Sequence, residues 1–150
     1  MGKSIFDPDV VDELSQRVSL LKGNELPKWG KMSPTEMLRH CNLANQKTLT
    51  WRGELRKPTL KQLLVKWTAL YLFPGFPKNA KTSPRFETKG LVASEEFETE
   101  KALFLNLLSQ FANLDEPLSA PHPFFGPLSN REWGIAVWKH MDHHLRQFGH

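Results

Sequence analysis

The chain is poor in several features that would otherwise decide its class. It has a single cysteine, Cys41, in 150 residues, so no disulfide can form within it. Its opening, MGKSIFDPDV, has no apolar run of the kind a secretory leader needs, and a cytoplasmic protein is the expectation. The richest apolar stretch, LLVKWTALYLF at residues 63–73, carries Lys66 and falls well short of the roughly 20 residues that cross a bilayer. No membrane span is expected. Alternating apolar and polar runs, hairpin signals and internal repeats are also missing, which argues against a sheet protein or a solenoid. A chain of this length buries a core without disulfides or a structural metal, and residues 1–150 read as one domain.

Acidic residues are scarce in one region. The net charge is +4, but residues 51–90 contain nine Lys or Arg against Glu54 and Glu87, a local balance of +7 that leaves −3 elsewhere. Such an excess can attract an anionic substrate, an acidic partner or a phosphate-rich surface; the plainer reading is a solvated face. No nucleic-acid motif accompanies it, so nucleic acid is not an expected partner.

What the chain does have is helix punctuation. Asp7 and Pro8 open a helical pattern over residues 7–21, with Val10, Val11, Leu14, Val18 and Leu21 in phase, and Gly23 ends it. Ser33 and Glu36 make a capping box, with Pro34 at the first helical position, for a second helix running to about Trp51. Its inward positions are Met37, His40, Cys41, Ala44, Thr48 and Trp51. Pro58 opens a third, amphipathic segment that Pro74, Gly75 and Pro77 close; such a segment can lie on a membrane surface, but packing on the bundle is the commoner outcome and is expected for it. Residues 74–90 read as a loop long enough to wall or cover a site. A fourth helix starts at Ser94 and carries Phe97, Phe104, Leu107, Leu108 and Phe111 towards Leu114; a proline-rich connection with His122 follows. Ser129 and Glu132 then cap a last helix. The fold class is all-α, with four long helices and one additional amphipathic helix.

Helical phase sorts the histidines of that last helix, SNREWGIAVWKHMDHHLRQF. At about 100° per residue, His140 and His144 share the apolar stripe with Trp133 and Phe148, whereas His143 turns towards Lys139, Asp142 and Arg146 on the polar side. The i, i+4 pair can reach a common metal ion. His40 is the other histidine on an inward face, about 10 Å beyond its cap at about 1.5 Å per residue, so antiparallel packing would bring all three imidazoles to one level. Three neutral imidazoles suit a divalent transition metal and leave positions for water or substrate. The alternative is a set of hydrogen-bonded core histidines. Around them, Glu36 and Gln147 are candidates to orient an imidazole, and Cys41, turned by about 100° from His40, points beside the cluster. A Cys41 nucleophile lacks an orienting group and oxyanion donors. His122 is a pocket candidate or a loop-packing residue; His143 and His150 are expected in solvent.

These motifs, Trp29 followed by SPTEMLRHCN and then HPFFGPLS, EW and KHMDHHLRQF, resemble the DinB-like superfamily of four-helix-bundle metalloproteins, and more closely an uncharacterised branch of it. The resemblance implies a bundle with long crossover connections and metal ligands at His40, His140 and His144. It further implies zinc or nickel as the metal and, by analogy with thiol-dependent transferases and isomerases, a low-molecular-weight thiol cosubstrate. The function expected is a metal-dependent transferase or hydrolase acting on a small, anionic molecule; the alternative is a bundle that binds metal or ligand without turnover. Bundles of this size often form homodimers through an apolar helix face.

Overall fold

The computed structural model describes residues 2–150 and is mostly helical, as the punctuation predicts. The helices are α1 (Pro8–Leu20), α2 (Pro34–Thr50), α3 (Leu60–Trp67), α4 (Phe97–Ala112) and α5 (Asn130–Gln147). Reciprocal capping boxes start α2 at Ser33 and α5 at Ser129, and a third, between Thr59 and Gln62, starts α3. Asp7 sits at the cap position of α1 without capping it; its carboxylate accepts instead from the backbone of Ser4. The acidic turn at Ser94–Glu96 is a separate 3-10 turn, so α4 begins three residues later than its sequence pattern predicts. Two short strands, β1 (Pro121–His122) and β2 (Gly126–Pro127), pair antiparallel within the proline-rich connection.

Directions follow from which ends meet. Lys101 Nζ on α4 donates to the carbonyls of Ser19 and Leu21 at the end of α1, so these two helices are antiparallel. Arg39 and Asn42 on α2 reach Glu96 and Glu100, which makes α2 and α4 parallel. Gln147, at the end of α5, bonds to Trp29 just ahead of α2, and His140 meets His40, so α2 and α5 are antiparallel. Arg17 contacts Asp142 and Ile5 bonds to Gly134, so α1 and α5 run together. The four helices therefore form a ring in the order α1, α4, α2, α5. Residues 51–93 return the chain along the bundle, and residues 113–129 cross its end between diagonally placed helices.

The core is lined by Leu14, Val18, Met37, Leu38, Phe104, Leu108, Phe111, Met141 and Leu145, all nearly or completely buried. Asn42 and Glu100 are buried polar exceptions that bond to each other: the Asn42 amide N–H groups donate to the Glu100 carboxylate at 2.8 Å and to its carbonyl at 2.9 Å, while Arg39 pairs with the same carboxylate at 3.1 Å; the Asn42 side-chain oxygen is left without a partner. Gly134 lets the N-terminal segment approach α5, since a Cβ there would lie 2.9 Å from the Phe6 ring and closer still to the Ser4 hydroxyl.

Lys139 departs from its sequence phase, which puts it in solvent. Its side chain is buried, and the ammonium donates to the carbonyls of Ala69 at 2.8 Å, Leu70 at 2.9 Å and Phe73 at 2.6 Å. Ala69 and Leu70 lie in a π-helical turn, Thr68–Leu72, that continues α3, and Phe73 is the residue that ends it. In a regular α-helix the Phe73 N–H would use the Ala69 carbonyl; here it bonds to Thr68 at 3.0 Å, which frees Ala69 to accept from Lys139. With Lys66 paired to Glu132 at 2.8 Å, α3 is tied to α5 by polar contacts. The apolar packing expected of α3 is not observed: none of its residues is buried. Replacing Lys139 with Ala should cost about 2–3 kcal/mol of stability, as hydrogen bonds from a buried charge are lost, and should speed tryptic cleavage at Lys61 and Lys66. Urea denaturation and limited proteolysis measure both effects.

Candidate metal centre

The capping boxes set the phase of α2 and α5, and the antiparallel register of the two helices brings His40, His140 and His144 together. The ring centroids form a near-equilateral triangle, with 5.0 Å between His40 and His140, 4.8 Å between His40 and His144 and 4.8 Å between His140 and His144. The planes are edge-on to one another, at 70°, 71° and 81°. Each residue offers a nitrogen, and the three ligand atoms lie within 4.8 Å of one another. Imidazole nitrogens around a first-row divalent ion sit roughly 3 Å apart, a spacing that His40 Nε2 and His140 Nε2 already have at 2.9 Å.

Two outer hydrogen bonds decide which nitrogens face the cluster. His40 Nδ1 donates to the carbonyl of Phe86 at 2.8 Å, and His144 Nδ1 donates to Gln147 Oε1 at 3.0 Å. A neutral imidazole with Nδ1 protonated presents its Nε2 lone pair, so both rings turn an acceptor towards the triangle. Gln147 is oriented in turn, its amide N–H donating to the Trp29 carbonyl at 2.7 Å. Burial holds these rings neutral: the pKa of His144 falls to about 3, that of His140 lies well below the ordinary value, with the neighbouring imidazoles adding to the effect, and that of His40 is lowered despite the opposing Phe86 carbonyl. The donor set is three neutral nitrogens held in one place, and it could hold a metal ion.

Other residues singled out by sequence take different positions. Glu36 closes the capping box with the Ser33 N–H and accepts from the Gly90 N–H, while its own carbonyl accepts from the Thr88 hydroxyl at 2.7 Å. It fastens the end of the crossover to α2, and its carboxylate bonds to none of the three histidines. Cys41 is fully buried with its sulfur 3.9 Å from that of Met37, and burial pushes its thiol pKa up, as befits a core residue. His122 stacks on Phe125 at 4.0 Å, and its Nδ1 accepts from the Phe124 and Phe125 N–H groups, closing the turn between β1 and β2. Burial lowers its pKa to about 4.

His143 is not simply solvated. It lies edge-on to Trp29 at 5.6 Å and to His144 at 5.0 Å, and it lines a cavity of about 170 Å³ with Trp29, Phe76, Lys78, Asp142 and Arg146. Residues 74–78 cover what helical phase marks as a polar face. None of the three clustered histidines lines this cavity. His150, also expected in solvent, pairs with Glu25 at 2.9 Å. Sequence reasoning missed the Phe86 carbonyl, a backbone group whose nearest local signal is the proline-led 3-10 turn Pro84–Phe86.

The fold and cluster define a helical bundle with a tri-histidine cluster in which His40 and His144 are buried and His140 is partly so. The chain belongs to the family described as "Protein of unknown function (DUF1569)", whose model matches residues 6–150. No curated protein and no solved structure matches it.

The neutral histidines make acid stability predictable. Unfolded, His122 and His144 take up protons near pH 6.5; folded, they resist until about pH 4 and about pH 3 respectively. Between those limits the unfolded state binds more protons, so stability is full above about pH 6.5 and falls as the pH drops towards 4. For His122 alone the loss should be roughly 3 kcal/mol. Urea denaturation of chelator-treated protein across this range is the measurement, and a flat profile would contradict the assignment.

Proposed function

We propose that this protein is a DinB-like metal-dependent enzyme of the thiol-dependent transferase or hydrolase type, with His40, His140 and His144 as ligands to one divalent ion, zinc or nickel. The observation that carries this reading is the pair of Nδ1 hydrogen bonds, to Phe86 and Gln147, which aim Nε2 of His40 and His144 at the same point as His140. The His40 and His140 Nε2 atoms hydrogen-bond each other at 2.9 Å, as core histidines would, but three imidazoles turned to one point with no carboxylate paired to any of them fit a ligand set better. When bound, such an ion supplies Lewis-acid activation of a water or thiol at neutral pH. The chain's part is to hold three rings in one protonation state, to fix their orientation through Gln147 and Phe86, and to keep the centre inside the bundle.

Lys78 and Arg146 line the neighbouring cavity and favour an anionic substrate or cosubstrate. One observation favours the second reading, a bundle that binds metal or ligand without turnover: the cavity reaches the cluster only at its flank, through His143.

Protein purified without a nickel column or chelator should carry about one ion per chain by elemental analysis, and His140→Ala should carry none while keeping its helical circular dichroism. Added zinc or nickel should raise the melting temperature of the stripped wild type, by about 2.7 kcal/mol of stabilisation at a hundred times the dissociation constant. A folded wild type that neither retains nor responds to metal would overturn the proposal. Gln147→Leu should weaken metal affinity about 10- to 100-fold, through loss of the His144 hydrogen bond, without abolishing folding. Isothermal titration against a competing chelator reads that change.

A further inference from the structure

Helix α3 is mounted with its faces reversed. At about 100° per residue, Leu60, Leu63, Leu64 and Trp67 fall within one arc of about 100°, and Gln62 and Lys66 lie opposite. Burying the apolar arc against the bundle would be the ordinary arrangement. Instead the polar side faces the protein: Lys66 pairs with Glu132, and Gln62 lies close enough to Gly126 that a Cβ there would be 3.0 Å from Oε1. The apolar arc is left in solvent, with Leu60 74%, Leu64 61% and Trp67 57% exposed. Tyr71, Leu72 and Phe73 extend it through the π turn, each about half exposed. This helix is not loosely attached, since its N-terminus is capped and Lys139 binds three carbonyls at its other end. Exposing so much contiguous apolar surface on a fixed element is costly unless something else covers it.

The charge around the arc selects the occupant. Residues 55–86 contain seven Lys or Arg and no Asp or Glu. Arg56 and Lys57, which lead into the helix, and Lys61, on the flank beside Leu64, are exposed. A second copy of the same face would bring basic residues against basic residues with no carboxylate from this segment between them. A surface of anionic phospholipid neutralises them and accepts the apolar arc, with Trp67 and Tyr71 suited to the boundary between headgroup and acyl chain. No helix among the described residues is long and apolar enough to cross a membrane, so the contact would be peripheral. We propose that α3 and its π-helical continuation form a peripheral docking site for an anionic membrane surface, with Leu60, Leu64 and Trp67 entering the interface and Arg56, Lys57 and Lys61 contacting headgroups.

The test is co-sedimentation of the full chain with phosphatidylcholine vesicles, with and without phosphatidylglycerol, alongside sedimentation velocity of the protein alone. Binding is expected to the phosphatidylglycerol vesicles and to weaken with added salt. Lys61→Glu should reduce it about tenfold. The double substitution Leu64→Glu with Trp67→Glu should abolish it, and because both side chains lie in solvent the melting temperature and metal content should not change. The proposal is overturned if anionic vesicles do not bind the chain, or if binding survives the double substitution. It is equally overturned if the chain forms a concentration-dependent dimer that the double substitution dissolves, which would assign the face to a second copy.

Discussion

The contact on which the rest of this structure depends is the antiparallel packing of α2 against α5. It is set at one end by the bond between Gln147 and the Trp29 carbonyl, and midway by the meeting of His40 with His140. A shift of either helix by one residue would turn its histidines by about 100° and open the triangle. The capping boxes at Ser33 and Ser129 matter for this reason beyond their local energy, because they fix where each helix begins counting. The parallel pairing of α2 with α4 through Asn42, Arg39 and Glu100 braces the opposite side of α2.

Around this contact, loops do work that helices alone cannot. The end of the crossover is fastened to α2 at three points: Phe86 on His40, Thr88 on the Glu36 carbonyl and Gly90 on the Glu36 carboxylate. The same carboxylate therefore caps a helix and anchors a loop whose backbone sets the tautomer of a site histidine. Lys139 acts similarly one residue before His140, where its ammonium replaces the missing donors at the end of a helix. Positions flanking the histidines in sequence thus hold the segments that enclose them.

The capped starts of α2 and α5, helical phase and the grouping of three histidines could be read from sequence because each depends on local rules: a cap, a period and a rise per residue. What could not be read depends on which element covers which face. Lys139 and His143 fall on a polar arc, yet the segment from Ala69 to Lys78 lies over that arc and encloses both. Asn42 and Glu100 are unlike core residues in type, and their burial depends on a pairing between two helices, with Arg39 on the same carboxylate, that no local pattern shows. Amphipathicity shows that α3 has an apolar side, but not that Lys66 would choose Glu132 and leave that side outward. The Phe86 carbonyl leaves no side-chain signature at all. The unexpected pairing of β1 with β2 is short enough that its turn, closed on the His122 ring, is its main determinant.

His40 and His140 are 100 positions apart in the chain. A cation held between them would act as a removable cross-link, closing a loop about as long as those for which a disulfide restricts the unfolded chain by about 4.7 kcal/mol in the entropic description. His140 and His144, one helical turn apart, would add almost nothing of this kind by themselves. The chain has one cysteine and so no covalent tie of its own. Metal supply would then set not only what the centre can do but how readily the two halves of the sequence come apart.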